Sequence, residues 1–188
     1  MTILLRMSAL IDAMSDRVGR TAYWLILLMV LVSSGNATVR YIFDKSSNAW
    51  LELQWYLFSG VFLLGAGYTL LNNEHVRIDI INGRLSPRTR AWIDLLGGIF
   101  FLLPMALIIM WLSWPVFVES YTRHEFSADA GGLLRWPVKL LIPAGFLLLV
   151  LQGFSEIIKR AAFLAGLIPD PGAKGDDELP PEAKEQAL

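Results

Sequence analysis

The sequence predicts an all-α membrane protein, with four transmembrane helices preceded by an N-terminal amphipathic interfacial helix. Three observations predict it. Hydrophobic residues make up 55% of the 188 and charged residues only 18%. The apolar residues gather into four runs, near 21–43, 50–71, 91–118 and 137–158, each long enough to cross a hydrocarbon core of about 30 Å. Each run also begins with rings suited to a membrane interface: Tyr23 and Trp24, then Trp50, Trp55 and Tyr56, then Trp92, then Trp136. The domains expected are an interfacial segment over 1–20, a four-helix transmembrane domain over 21–165, and a disordered acidic cytoplasmic tail over 166–188.

Before the first run, Met7, Leu10, Ile11, Met14 and Val18 recur at helical spacing, with Ser8, Asp12, Ser15, Asp16 and Arg17 between them. This pattern predicts a helix lying in the interface. The first run itself has a signal-peptide-like core, Tyr23 to Val32, followed by Ser33, Ser34 and Gly35. Apolar character resumes at Val39, Tyr41, Ile42 and Phe43, so an uncleaved span is the reading preferred. Ser86-Pro87 and Trp136-Pro137 place proline where the third and fourth helices should start. The third run is long, which predicts tilt, or bends at Pro104 and Pro115. The tail carries Pro169, Pro171, Pro180 and Pro181 with six acids, too little apolar content to fold.

Orientation follows from the basic residues near the span ends. Arg6, Arg17 and Arg20, the 72–90 loop with Arg77, Arg84, Arg88 and Arg90, and the tail with Lys159, Arg160, Lys174 and Lys184 together hold eleven. The opposite loops hold five: Arg40, Lys45, Arg123, Arg135 and Lys139. The positive-inside rule then places both termini and the 72–90 loop in the cytoplasm.

Chemistry is sparse. Sixteen basic residues against seventeen acidic ones give a nucleic-acid partner no electrostatic support. The absence of cysteine excludes disulfides, thiolate metal sites and cysteine nucleophiles. The only histidines, His75 and His124, fall in loops on opposite sides of the expected bilayer, so they do not form a two-histidine metal or haem site. No cofactor, metal site or catalytic group is expected. The alternating run His75-Val76-Arg77-Ile78-Asp79 reads first as a solvated connection, next as a protein contact and last as a metal or catalytic segment, for which no second acid or nucleophile is suitably spaced. In the first span Ser33, Asn36 and Arg40 share a helix face, and polar residues within spans usually face protein. Glu52 opens the second span at a depth like that of Arg40. Two arrangements fit: an ion pair between them, or separate snorkelling to the headgroups. Asp94 is placed near a helix start, where an anion is favoured. The middles of spans two, three and four contain no ionisable residue, unlike a transporter that moves substrate alone.

The run Asn36-Ala37-Thr38-Val39-Arg40-Tyr41-Ile42-Phe43 is followed by Trp50-Leu51-Glu52, then by Gly67-Tyr68-Thr69-Leu70 leading into His75-Val76-Arg77-Ile78-Asp79, and by Asp94-Leu95-Leu96-Gly97. Together these resemble the small membrane subunit, the DctQ-like component, of tripartite ATP-independent periplasmic (TRAP) transporters. Ser127-Ala128-Asp129-Ala130-Gly131-Gly132-Leu133, with Trp136-Pro137-Val138-Lys139 and Pro143-Ala144-Gly145-Phe146, looks like the subgroup associated with 2-oxo acid and related carboxylate uptake. Many relatives carry two adjacent acids after the tryptophan, whereas here Glu52 is followed by Leu53.

The resemblance implies a non-enzymatic scaffold in the bacterial inner membrane. It would brace a large TRAP membrane subunit during ion-gradient-driven uptake, with a periplasmic solute-binding protein as an indirect partner and no substrate site of its own. Residues expected at the subunit interface or in structural roles are Asn36, Arg40, Glu52, His75, Arg77 and Asp79. The competing reading is a standalone four-helix exporter or pore.

Overall fold

The structure, a computed structural model, describes residues 2–45, 47–73 and 85–171. Its helices are α1 (Thr2–Phe43), α2 (Asn48–Leu71), α3 (Pro87–Gly97), a π-helical turn (Gly98–Leu102), α4 (Leu103–Thr122) and α5 (Trp136–Leu164). Among the described residues the extended pairing is a single isolated bridge between Phe126 and Leu134. The run His75 to Asp79 lies outside the described residues.

Local chemistry sets the helix ends. The Ser86 hydroxyl accepts from the Thr89 N–H at 3.3 Å and Pro87 follows it, so α3 begins as its residue order predicts. Pro137 likewise sits in the first turn of α5. Past their C-termini, α1, α2, α4 and α5 turn out of the helix through Asp44, Asn73, His124 and Gly166, all with positive φ. Glycine, asparagine, aspartate and histidine are the residues that tolerate this geometry best. After α5 the Gly166 N–H reaches the Phe163 carbonyl and the Leu167 N–H reaches that of Ala162, which satisfies two otherwise orphaned acceptors.

Pro104 acts one turn ahead of itself. It has no N–H for the carbonyl four residues back, and its ring crowds that carbonyl. The chain widens here into the π-helical turn, and the Leu103 N–H bonds to the Gly98 carbonyl five residues earlier. Pro115 lies inside α4, which continues past it to Thr122.

The α5 helix is the hub. It packs against α1, α2, α3, the π-helical turn and α4, while α1 and α2 pack on each other. The apolar centre holds Leu103, Ala106 and Val150, flanked by Phe146, Leu149 and Ile157. Close approach depends on small residues. A Cβ on Gly145 would stand 2.7 Å from the Leu63 carbonyl oxygen, so α2 and α5 meet this closely only with glycine there.

The stretch expected to lie in the interface and the first expected span form one unbroken helix, α1. Ser8, Ser15 and Ala22, at seven-residue spacing, are buried, while Ile3, Met7 and Leu10 are exposed. The face turned inward at this end is therefore the small polar one. A hydroxyl is compact enough to let backbones approach and can still find a partner.

Large apolar side chains point outward along α1, the π-helical turn and α4, including Trp24, Phe101 and Trp111. Among the described residues three helical runs are long and apolar enough to cross a membrane: Ile3–Phe43, Pro87–Thr122 and Trp136–Leu164. The inside-out distribution fits a chain whose solvent is hydrocarbon.

Candidate functional site

The polar side chains that bond from one element to another collect at the two ends of the bundle. At one end, Asn48, Glu52 and Tyr56 follow at four-residue spacing along α2, so they share a face. That face meets the loop between α4 and α5. Glu52 is only 3% exposed. Its Oε2 accepts from the Leu133 N–H at 2.6 Å, and its Oε1 accepts from the Ser127 hydroxyl and lies 3.5 Å from Arg135 Nη2. Asn48 Nδ2 donates to the Ala130 carbonyl at 3.1 Å, and the Tyr56 hydroxyl donates to that of Leu134 at 2.8 Å.

The loop is shaped for this grip. Backbone bonds from Ser127 to Leu133 and from Arg135 to Glu125 close a short hairpin, and Gly131 turns with φ of 73°. A Cβ on Gly132 would fall 2.4 Å from that of Ser127 and 3.0 Å from Glu52 Oε1. The Gly131-Gly132 pair thus supplies first the left-handed turn and then the room for the carboxylate. The Arg135 guanidinium also stands 5.2 Å from the centre of the Trp55 ring, a cation–π distance. Beside the hairpin, the Lys139 ammonium bonds Glu125 and holds its carboxyl below the usual range.

At the other end, α1 and α5 run antiparallel and share a second network. The Ser8 and Ser155 hydroxyls are 2.7 Å apart. Asp12 Oδ1 accepts from Ser155 at 2.6 Å and from Gln152 Nε2 at 2.9 Å, while Oδ2 accepts from Lys159 at 3.1 Å. Lys159 and Gln152 also bond Glu156. One turn on, buried Arg160 reaches Asp94 of α3 at 3.2 Å and Asp170 at 3.3 Å. Asp94 lies seven residues past Pro87, so Arg160 rather than the helix start neutralises it, a correction to the sequence reading.

Both oxygens of Glu52 and both of Asp12 are engaged by donors. Such carboxylates hold backbones in place and have little capacity left to accept a proton from a substrate. Among the described residues no group of three His, Cys, Asp or Glu side chains is arranged to hold a metal.

The six residues singled out from sequence divide in three ways. Glu52 is central to the first network, but with Arg135, Ser127 and Leu133 rather than Arg40; its face of α2 turns to the hairpin. Arg40 is exposed in the last turn of α1, and Asn36 is half-buried on that helix. His75, Arg77 and Asp79 lie outside the described residues. Sequence reasoning missed Asp12, Gln152, Ser155 and Lys159 as a group. The one signal was the placement of polar residues on α1 and α5 at compatible helical spacing.

Outward apolar helices with polar ends tied internally define a helical membrane protein whose charged groups join helix to helix. Residues 29–163 match the family described as tripartite ATP-independent periplasmic transporters, DctQ component, and the chain belongs to that family. It is thus a TRAP transporter component. The match takes in the hairpin clamp and the α5 side of the second network; it begins in the last third of α1, after Ser8 and Asp12. No curated protein and no solved structure matches the chain.

Proposed function

We propose that this chain is the small permease subunit of a TRAP transporter in the bacterial inner membrane, bracing a large membrane subunit during ion-gradient-driven uptake of a carboxylate. The observation that carries this reading is the family match over 29–163. The internal ties at both ends support it, because they stiffen the bundle and leave no acid of either network free for substrate. The carboxylate class rests on the Ser127 to Leu133 resemblance alone. A periplasmic solute-binding protein acts beside the complex.

In this reading the chain crosses the membrane four times, with α2 as the additional crossing. Its 24 residues would extend about 36 Å, enough for a core of about 30 Å. It also packs along both α1 and α5. Both termini and the 72–90 loop are cytoplasmic.

Reporter fusions after Lys174 and Asn82 are expected to signal cytoplasm, and fusions after Ser47 and Ala128 periplasm. A periplasmic signal at Asn82 would sink the topology. The large subunit is expected to co-purify with this chain. Deleting the chain should abolish sodium-dependent uptake by the assembled system, whereas uptake by the reconstituted chain alone would favour the exporter reading.

A further inference from the structure

Two flanks of the bundle expose apolar surface, and they differ in one respect. From Phe100 to Leu112 the flank formed by the π-helical turn and α4 carries no ionisable, amide or hydroxyl side chain, and Asp94, Glu156 and Arg160, which line the groove beside it, are paired within the chain. Phe101, Met105, Ile108 and Trp111 stand outward there, as a lipid-facing surface requires. The α1 flank is not of this kind. Ser33, Asn36 and Arg40 share one outward face within an apolar helix. Gln54 of α2 lies in the same shallow pocket as all three, and so does Asp44, a carboxylate four positions past Arg40. Among the described residues neither the Asn36 nor the Gln54 amide makes a side-chain hydrogen bond, and Arg40 has no ion pair.

Beside this polar stripe runs an apolar groove of about 750 Å³ whose lining includes Leu31, Gly35, Val39, Trp50 and Leu53. A Cβ on Gly35 would meet nothing within 4 Å. The groove therefore has a notch where another backbone can come close, next to an amide that hydrocarbon would leave unsatisfied.

We propose that this α1 face receives a transmembrane helix of the large membrane subunit, which supplies hydrogen-bonding groups to the Asn36 and Gln54 amides. Headgroups can meet the charge of Arg40 in the last turn of α1, but the two amides need donors and acceptors that lipid tails lack, which selects a protein partner. The inference rests on the reading of the chain as a small permease subunit. It assigns the α4 flank to lipid.

Two glycines give a matched test, because Gly97, which lines the α4-side groove, also has nothing within 4 Å of an added Cβ. Gly35→Leu and Gly97→Leu both enter open space in this chain, so both should fold with unchanged helix content. When each is co-expressed with the large subunit, Gly35→Leu is expected to lower co-purified large subunit about tenfold and Gly97→Leu to leave it unchanged. A photo-reactive residue at Val39 is expected to cross-link to the large subunit, and one at Ile108 is not.

The reverse pattern would overturn the proposal while leaving the permease reading intact, since the complex would still form. Cross-linking of Val39 only to lipid or to a second copy of this chain would also overturn it. If the parent chain brings down no large subunit at all, the permease reading itself fails and this inference falls with it.

Discussion

The hairpin clamp and the α1–α5 network both close an end of the bundle around a carboxylate, yet they are built from different ranges of sequence. The clamp draws Ser127, Leu133 and Arg135 from one nine-residue stretch and sets them on a single face of α2. The network joins Ser8 and Asp12 to Gln152, Ser155 and Lys159, partners 140 or more positions apart. A local motif can shape itself before it docks. The network exists only once α1 and α5 lie side by side, so it reports the tertiary fold directly.

The sharpest way to break this contrast is Lys159→Met, which leaves Asp12 and Glu156 without their shared cation. A fully dry pair loses about 3–5 kcal/mol on such a change. These side chains keep 15–25% exposure, so roughly 2–3 kcal/mol is expected. Thermal unfolding in detergent measures it, and adding Asp12→Asn should recover part of the loss. Full additivity of the two changes would show that the network is not a unit.

A smaller effect is expected from Gly132→Ala. The added methyl collides with Ser127 and crowds Glu52, and the hairpin must move to accept it. About 1–2 kcal/mol should be lost, the ordinary range for overpacking. Loop displacement should also alter Trp55 fluorescence, since Arg135 leaves its ring. An unchanged emission and melting temperature would mean that the clamp tolerates slippage.

The smallest effect is a pH dependence confined to the hairpin end. The Glu125 carboxyl is held below its ordinary value of 4.5, chiefly by its hydrogen bond to Lys139. A depressed carboxyl pKa stabilises the folded form above that ordinary value, and the contribution is lost as pH falls through the depressed one. Melting temperature should therefore decline as pH falls below 4.5, and Lys139→Met should flatten that decline. The same slope in both proteins would place the titrating group elsewhere.

Several features were legible because they depend on near neighbours. Ser86-Pro87 and Trp136-Pro137 mark helix starts by chemistry that acts within one turn. Glu52 was recognisable as a charge in need of a partner, but its partner was not. Arg40 is twelve positions away and Arg135 eighty-three, and which one it meets depends on where the hairpin folds back over α2. Asp94 shows the same division. Its place on a short helix after Pro87 could be read locally, whereas Arg160 came to it only through the packing of α3 on α5.

The sequence by itself determined that the chain forms long apolar helices with aromatic rings near their ends, because periodicity and hydropathy act residue by residue and need no partner to be read. The tertiary structure decided which polar groups meet. It turned Ser8 and Ser15 inward where helical periodicity suggested an outward polar face, it gave Glu52 to the hairpin, and it left the Asn36 amide without a side-chain hydrogen bond among the described residues. The reason is that a polar group can be satisfied by any suitable donor or acceptor in reach, and reach is fixed by helix packing rather than by distance along the sequence.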